Sequence, residues 1–294
     1  MQYRHAPAAN HAGLDAVLVS APGRPTLPVR LTVELLGRAR AHLGTDVPVT
    51  VWDPCCGAGG TLTVLGLLSP GIRALAGTDV DDEPLDLARR NLGLLSSTGP
   101  AARAAELDAL AARYGKPAYV DAAAAARSLR PASAPVWTVG VADALDPVAT
   151  RAALGDLAPD VVLADLPHGR QTSWAGDTAT GGPERGGPVA RGPLPGGPHS
   201  GSPLSDGGAR GPVSGGRPAS GGRVVGRPAA DDPGAWIAPV AAFVRAVATV
   251  LAPDAVIVAV GRGRSVPLPP GVRARERVRA GHRSAVLIRA GDVR

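Results

Sequence analysis

The stretch Val51-Trp52-Asp53-Pro54-Cys55-Cys56-Gly57-Ala58-Gly59-Gly60 places a β-branched run, an acidic residue and a cluster of glycines next to one another. The apolar run Val47–Asp53 predicts a buried strand, and the Asp-Pro step and the glycines after it predict a tight turn. Thr61–Leu68, which follows, is apolar and predicts a helix. A strand, a glycine-rich turn and a helix in this order are typical of the ligand-binding edge of an α/β fold.

Strand and helix patterns alternate along the rest of the chain. Further strands are predicted at Ile72–Asp79, Val136–Ala142, Asp160–Asp165, Ala255–Gly261 and Ser284–Ala290. Further helices are predicted at Glu83–Leu95, Ala101–Tyr114, Ala118–Leu129, Pro147–Leu157 and Ala235–Leu251. Near the start of the chain, we expect Leu14–Ser20 to form a strand and Val29–Leu43 to form a helix that packs onto it. The alternation predicts a mostly parallel α/β sheet flanked by helices, which is a Rossmann-like fold.

Two segments interrupt this alternation. Residues 99–131 are predicted to be an inserted pair of alanine-rich helices. Residues 175–235 contain 18 Gly and 10 Pro and have no hydrophobic period, so they cannot bury enough apolar surface to offset the entropy of ordering. We interpret them as a disordered loop inside the domain, because strand and helix patterns resume after them. Residues 1–294 are therefore expected to form a single domain.

The composition excludes several classes of protein. The 294 residues include two cysteines, and because these are adjacent they make neither a disulfide framework nor a zinc motif. The longest apolar runs, such as Ala255–Val260, are far shorter than the roughly 20 residues that span a bilayer. The first residues lack the apolar segment that is typical of a secretory signal. We therefore expect a cytoplasmic monomer that binds neither membrane nor metal.

The acidic residue before the glycines favours a positively charged ligand. A dinucleotide fingerprint reads G-x-G-x-x-G, but Leu62 stands at the third glycine position, and Asp53 would repel a pyrophosphate. S-adenosylmethionine carries an ammonium and a sulfonium group, and methyltransferases that use it commonly show D-x-x-x-G-x-G. We predict that this cofactor binds at Asp53, Cys55, Gly57 and Gly59. The alternative is a glycine-rich turn with only a structural role.

Two more acidic residues stand where later strands are predicted to end. Asp79 ends the second strand and is placed to accept the ribose hydroxyls; Asp81 is its nearby competitor. Asp143 ends the third strand and is placed to accept from the adenine amino group, with a backbone donor from Ala144. Carboxyl ends of parallel strands open on one edge of the sheet, where ligands bind. Each aspartate alone could instead be a helix N-cap, as Asp81 and Asp146 look to be.

The fourth predicted strand ends in Asp165-Leu166-Pro167-His168, which resembles the [DN]-[PILV]-P-[YFWH] signature of methyltransferases that act on nitrogen. The Asp165 carboxylate and the Leu166 carbonyl can accept hydrogen bonds from a planar N–H group, and Pro167 fixes the turn. His168 offers a flat ring for stacking, or alternatively a proton acceptor. Such an arrangement catalyses mainly by positioning and by local electrostatics. A strand-ending turn without catalytic function is the alternative.

The positive charge of the chain is concentrated near its C-terminal end. Residues 245–294 contain ten arginines and three acidic residues, which fits contact with RNA phosphates. The arginines predicted to bind RNA are Arg262, Arg264, Arg273, Arg275, Arg277 and Arg279. The last four alternate in sequence, so they are expected to line one face of a strand. A solvated strand edge without RNA contact is the alternative.

These motifs together resemble the avilamycin-resistance rRNA methyltransferases (AviRa type). The stretches that carry the resemblance are Trp52–Gly59, Leu62–Leu68, Tyr3–Ala6, Ser20–Gly23, Pro28–Leu31, Gly115–Pro117, Asp160–Leu163 and Arg283–Leu287. The resemblance covers nearly the whole chain except about residues 177–230. The family motif reads Asp-Leu-Pro-Tyr-Gly, and His168 stands here in the place of its tyrosine.

The resemblance implies a class I methyltransferase fold and methyl transfer from S-adenosylmethionine to a guanine nitrogen of 23S ribosomal RNA. In producers of orthosomycin antibiotics such as avilamycin, that mark gives resistance. The large ribosomal subunit or its RNA is then the expected partner. A methyltransferase acting on another RNA, a protein or a small molecule, and a non-catalytic RNA-binding module, are the alternatives.

Overall fold

The computed structural model describes residues 2–6, 13–20, 26–132, 135–167 and 233–294, of which 233–236 are described by their backbone alone. The described part is built on a seven-stranded sheet with the order β3-β2-β1-β4-β5-β7-β6. The strands are β1 (Val49–Asp53), β2 (Ile72–Asp79), β3 (Val136–Val141), β4 (Val161–Asp165), β5 (Val256–Arg262), β6 (Glu276–Ala280) and β7 (Arg283–Arg289). Strands β1 to β5 run parallel to one another, whereas β7 runs antiparallel to both β5 and β6.

Helices cover the sheet on both sides. They are α1 (Leu14–Val17), α2 (Val29–Leu43), α3 (Gly60–Leu68), α4 (Leu85–Leu92), α5 (Gly99–Tyr114), α6 (Pro117–Ser128), α7 (Pro147–Leu154) and α8 (Pro233–Thr249). Short 3₁₀ turns follow at Gly93–Leu95 and Ala290–Asp292. The predicted Rossmann-like, mostly parallel α/β fold is confirmed.

One predicted strand is wrong. Leu14–Ser20 contains the helix α1, not a strand. Leu14, Val17 and Leu18 are the buried residues of this segment, and their spacing of three and four positions is helical. A strand would have required alternate burial, which this sequence does not have.

The two interrupting segments differ in how much of them is described. The range 99–131 contains α5 and α6, which pack against each other. The segment 175–235, predicted as a disordered loop, lies outside the described residues except for its last three, which belong to α8. The division of the chain into one domain with these two segments stays a prediction.

Alternation along the strands divides the core into two layers. Val51, Leu75 and Leu163 face the side that α2 and α3 cover. Their sequence neighbours Trp52 and Ala164 face the other side, in the layer that includes the buried residues of α8. Successive strand residues point to opposite faces, so each polar residue at a strand end can be assigned to one face. None of the helices in the described ranges has the length and hydropathy needed to cross a bilayer.

A buried carboxylate fastens the beginning of the chain to the fold. Glu34 on α2 is fully buried and accepts hydrogen bonds from the backbone N–H groups of Arg4, His5 and Ala6, at 2.7 to 3.0 Å. It also accepts from Arg38 Nε at 2.7 Å, one turn further along α2. Arg38 in turn pairs with Glu276 on β6, so the network joins the first residues to the edge of the sheet.

We expect Glu34→Gln to destabilise the protein by about 3 kcal/mol at pH 7. Burial raises the pKa of Glu34, but the three backbone donors and Arg38 outweigh burial and lower it from 4.5 to about 2. A group with a lowered folded pKa stabilises above its unfolded pKa and loses that contribution as the pH falls through the folded value. Urea unfolding of the wild type and of Glu34→Gln measures their free energies of unfolding. The difference between these two free energies should therefore become smaller by over ~1 kcal/mol between pH 6 and pH 3.5.

Asp86→Asn provides the matched control. Asp86 also pairs with an arginine on its own helix, Arg89, but the Asp86 side chain is 87% exposed. Its loss should change the free energy of unfolding by less than about 0.5 kcal/mol. If both substitutions lowered the free energy of unfolding equally, the Glu34 network would not stabilise the protein as expected. The same conclusion would follow if the loss of stability in Glu34→Gln did not depend on pH.

Candidate active site

Three carboxylates meet on one face and at one edge of the sheet. Asp53 ends β1 and pairs in register with Gly77 of β2, so Asp79 lies two residues further out towards the edge. On the other neighbour of β1, strand β4, Val161 pairs with Val51. Asp165 therefore lies two residues further out towards the edge than Asp53. All three residues share the strand phase of the core layer under α2 and α3. Asp53 is thus the deepest of the three, with Asp79 and Asp165 on either side.

Asp53 lies in an environment that disfavours its negative charge. Its exposed fraction is 2%, and it accepts one hydrogen bond from the Cys55 N–H at 3.1 Å. Burial, followed by the nearby charges of Asp165 and Asp79, raises the pKa of Asp53 to about 8, and the Cys55 hydrogen bond only partly opposes this. A cation bound beside Asp53 would reverse this shift, because an opposite charge favours the ionised form.

The glycine loop connects β1 to α3 through two residues with left-handed backbone. Gly57 and Gly59 have φ values of 50° and 71°. The Gly57 N–H donates to Asp79 Oδ2 at 2.8 Å, which ties the loop to the end of β2. A Cβ at Gly59 would lie 3.0 Å from the Cα and Cβ of Ala88 on α4, whereas a Cβ at Gly57 would meet no atom of the described residues within 4 Å. Gly59 is therefore required for helix packing as well as for the turn, while Gly57 borders open space.

Asn91 holds the loop to the N-terminal part of the chain. This residue of α4 is buried, and its Nδ2 donates to the carbonyl oxygens of Val19 and Ala58, each at 2.8 Å. Its Oδ1 accepts from the Val19 N–H at 2.7 Å. We did not predict this role from the sequence. A buried asparagine on an otherwise apolar helix face was the available signal, because such a group must find hydrogen-bond partners.

The residues predicted to contact the adenine, Asp143 and Ala144, lie after β3, beside the end of β2. The Ala142 N–H donates to the Asp79 carbonyl oxygen at 3.0 Å, which joins the two strand ends. Asp143 Oδ1 accepts from the Leu145 N–H at 2.9 Å, so Asp143 forms a turn and is not a helix cap. Asp146 is the N-cap of α7, as predicted. The N-cap interpretation of Asp81 is wrong, because α4 begins after Pro84 and that N-terminus has no side-chain cap.

Asp165 is paired with an arginine that the site prediction did not include. Arg283 Nη1 lies 2.6 Å from Asp165 Oδ1 and 2.8 Å from Oδ2. Burial raises the pKa of Asp165, and the charges of Arg283 and Arg262 partly oppose the rise. Leu166 is buried, and its N–H donates to the Val260 carbonyl oxygen at 2.9 Å. Pro167 is half-buried, and His168 lies outside the described residues.

The predicted RNA-binding arginines are all exposed but do not form one cluster. Arg262 and Arg264 lie at the end of β5, on the same edge as the carboxylates. Arg277 and Arg279 flank the buried Val278 on β6, so they share the solvent face, as the alternation predicts. Arg273 and Arg275 precede β6 and lie towards the opposite edge; Arg275 also pairs with Asp292, with both contacts at 2.7 Å.

The two cysteines of the loop are not reactive thiols. Cys56 is buried, and burial raises the pKa of both the Cys55 and Cys56 thiols, as do the neighbouring aspartates. Both side chains are therefore protonated at neutral pH and fill space beside Asp53. Across the described ranges, no group of three or more His, Cys, Asp and Glu side chains is arranged to hold a metal ion.

We expect Gly59→Ala to lower the free energy of unfolding by about 2 to 3 kcal/mol. A left-handed backbone costs a residue with a Cβ about 1 to 2 kcal/mol, and the contact with Ala88 adds overpacking. Gly57→Ala carries the same backbone cost without the contact and serves as the matched control. Denaturant unfolding should show the larger loss for Gly59→Ala; equal losses would contradict the close packing of α3 on α4.

The chain is similar to known proteins over nearly its whole length. Residues 1–185 match the family model of the rRNA methyltransferase AviRa. A 23S rRNA (guanine(2535)-N(1))-methyltransferase from Streptomyces viridochromogenes is 39% identical over 300 residues, which cover 99% of this chain and 97% of the relative. Two crystal structures of the rRNA methyltransferase AviRa from the same organism, at 1.5 and 2.4 Å, superimpose with TM-scores of 0.73 and 0.72 at 39% identity. Each alignment covers 100% of this chain and 98% of the solved chain. The chain therefore belongs to the AviRa family of rRNA methyltransferases.

Proposed function

We propose that the protein transfers a methyl group from S-adenosylmethionine to N1 of a guanine in 23S ribosomal RNA. The observation that carries this proposal is the convergence of Asp53, Asp79 and Asp165 at one sheet edge. The first two suit a cationic nucleoside cofactor, and the third suits an N–H group of a base. The relative at 39% identity carries the name of a guanine-N1 methyltransferase of 23S rRNA, which supports the choice of atom and RNA.

The chemistry of the loop fits S-adenosylmethionine. When bound, the cofactor supplies an electrophilic methyl group on a sulfonium centre. The deep carboxylate of Asp53 would face its positive charge, and the backbone of Cys55, Gly57 and Gly59 would lie against it. Open space beside Gly57 supports this placement, because a side chain there would project into it.

The residues after β2 and β3 would hold the nucleoside end of the cofactor. Asp79 already accepts the Gly57 and Asp81 N–H groups, at 2.8 and 3.1 Å, which fixes the carboxylate at the strand end for the ribose hydroxyls. Asp143 and Ala144 would contact the adenine. These two residues follow directly after Ala142, whose N–H donates to the Asp79 carbonyl oxygen beside the end of β2.

Asp165, Leu166, Pro167 and His168 would bind the target base. The Asp165 carboxylate accepts a hydrogen bond from the N–H of the guanine edge, with the Leu166 carbonyl as a second acceptor and the His168 ring stacked on the base. The cofactor would supply the methyl group for N1, and the Asp165 carboxylate would accept the proton that N1 loses. Catalysis then comes mainly from orientation and from charge placed in advance of the reaction.

The exposed arginines would bind the ribosomal RNA backbone. Arg262, Arg264, Arg277 and Arg279 flank the edge that carries the carboxylates, so their positive charge would attract phosphates around the site. Arg273 and Arg275 would extend the contact. An RNA substrate on the large ribosomal subunit places the reaction in the cytoplasm. We propose that methylation of this guanine gives resistance to orthosomycin antibiotics such as avilamycin.

We expect Asp165→Asn to lower methyl transfer by about 100-fold or more and to leave cofactor affinity within about threefold. The substitution keeps the side-chain size but removes the charge that accepts from the base. Transfer of tritiated methyl groups to purified large subunits and to naked 23S rRNA measures the first quantity. Primer extension and nucleoside mass spectrometry locate the mark, and calorimetry measures cofactor binding.

Asp146→Asn is the matched control for that experiment. Asp146 caps α7 at some distance from the three carboxylates, and asparagine caps a helix as well as aspartate does. Its methyl transfer should equal that of the wild type. If the wild type bound S-adenosylmethionine but methylated no rRNA or subunit, the proposed substrate would be wrong; if it did not bind the cofactor, the enzymatic function would be wrong.

We expect cofactor binding to release close to one proton at pH 7. The free protein holds a proton on Asp53, whose pKa burial raises to about 8, and a cation beside it favours the ionised form. Affinity should therefore rise with pH up to about pH 8 and then level off. Calorimetry in buffers with different ionisation enthalpies measures the number of protons released.

The variant Asp53→Asn tests whether the proton released on cofactor binding comes from Asp53. The variant should bind the cofactor more weakly and release no proton, with an affinity that does not depend on pH between 6.5 and 8.5. Proton uptake, or release of the same size in the variant, would assign the linkage to another group.

A further inference from the structure

Arg283 lies on the antiparallel strand β7, and this direction is what brings it to the site. In register, Asp165 pairs with Val260 of β5, and Val260 pairs with Ala285 of β7. Arg283 is two residues before Ala285, so it lies on the same face of the sheet and one step further out. A parallel strand in this position would present its last residue at this edge, not its first.

The contact between Arg283 and Asp165 is close and shielded from water. One nitrogen, Nη1, lies within hydrogen-bond distance of both carboxylate oxygens, at 2.6 and 2.8 Å. The exposed fractions of the two side chains are 12% and 14%. Shielding makes the charge of Arg283 act strongly on Asp165, because little water stands between or around them.

We propose that Arg283 is a positioning residue for methyl transfer, which keeps the Asp165 carboxylate charged and in one orientation, with accepting lone pairs towards the target base. This inference rests on the proposed function of the site. A protonated or rotated carboxyl group would present an O–H or a different oxygen to the base and would no longer accept from its N–H.

The surroundings of Asp165 explain why a cation is needed there. The carboxyl groups of Asp53, which ends β1, and Asp79, which ends β2, lie on one side, with the Cys55 thiol next to them. On the other side Arg283 on β7 and Arg262 at the end of β5 add positive charge. Arg262 is exposed, so of the two cations Arg283 is the one whose position is fixed by burial and by direct contact.

The strand pairings around Arg283 do not depend on this ion pair. The backbone of Arg283 is held in register between Arg262 of β5 and Ala280 of β6. Strand β4 is likewise held by β1 and β5, so removal of the side chain breaks no strand pairing. Loss of the Arg283 charge beside the largely shielded Asp165 lowers stability, so the activities of the variants are compared at a temperature at which each of them is folded.

The test compares Arg283→Gln and Arg283→Lys with Arg289→Gln. Arg289 lies at the other end of the same strand, is also half-buried, and donates to the His42 carbonyl oxygen at 2.7 Å. Arg283→Gln should lower kcat at pH 7 by about 100-fold and move the acidic limb of the pH profile up by about one pH unit or more. Arg283→Lys, which keeps the charge, should return the acidic limb to its wild-type position and recover most of kcat. Arg289→Gln should match the wild type.

A second readout does not require catalysis. In protein labelled with ¹³C at the aspartate carboxyl groups, the NMR titration of Asp165, assigned by its loss in Asp165→Asn, should move to higher pH in Arg283→Gln and not in Arg289→Gln. An unchanged titration, or a lower kcat with an unchanged pH profile, would overturn the proposal. A raised KM for rRNA with unchanged kcat would also overturn it and would make Arg283 an RNA contact. If the wild type methylated no rRNA while the titration moved, the proposed function would fail and the ion-pair effect would stand.

Discussion

The burial of Asp53 between two other carboxylates is the constraint on which the rest of the structure depends. An ionised carboxylate at 2% exposure next to like charges is costly, so the free protein keeps the Asp53 side chain protonated at the end of β1. Ionisation of Asp53 becomes favourable when a cation binds beside it. An apolar side chain at this position would make the fold more stable and leave the site without its selectivity for a positively charged ligand.

The surrounding structure holds these carboxylates by a repeated device. Glu34 fixes the first residues of the chain, Asn91 fixes the glycine loop to Val19, and Arg283 fixes Asp165. In each case a buried polar side chain on a regular element satisfies groups on an irregular or reactive one. These hydrogen bonds fix the positions of the irregular segments relative to the helices and strands beside them. Catalysis by positioning requires such fixed positions.

Sequence patterns predicted most of the sheet because the strands are strongly apolar and end at polar residues. β2 was predicted with its observed bounds, Ile72–Asp79, and the glycine loop lies where the Asp-Pro step indicated. The prediction was wrong at Leu14–Ser20, where three buried residues are too few to separate a helical period from an alternating one. The edge strand β6 was recognised only from its alternating arginines, because Val278 is its single fully buried residue.

The polar contacts could not be predicted in the same way. Arg283 and Asp165 are 118 positions apart, and Arg38 and Glu276 are 238 apart, so their pairing follows from sheet order and from the antiparallel direction of β7. A local sequence pattern gives neither the order of the strands in the sheet nor the direction of β7. The residue types alone also gave no reason to separate Arg283 from the other arginines of this segment, since its contact with Asp165 is what distinguishes it.

Strand order has a consequence for how the protein is made. β4 lies between β1 and β5, but β5 follows it in the chain only after about 90 residues, which take about 5 to 20 s to synthesise. During that interval the run Val161–Leu163 forms an open apolar edge on the nascent chain, and such edges pair readily with other strands. The arrival of β5 closes that edge, and β7 then delivers Arg283 to Asp165. Slower translation through the segment between β4 and β5 would therefore lengthen the time for which this edge is open to wrong pairing.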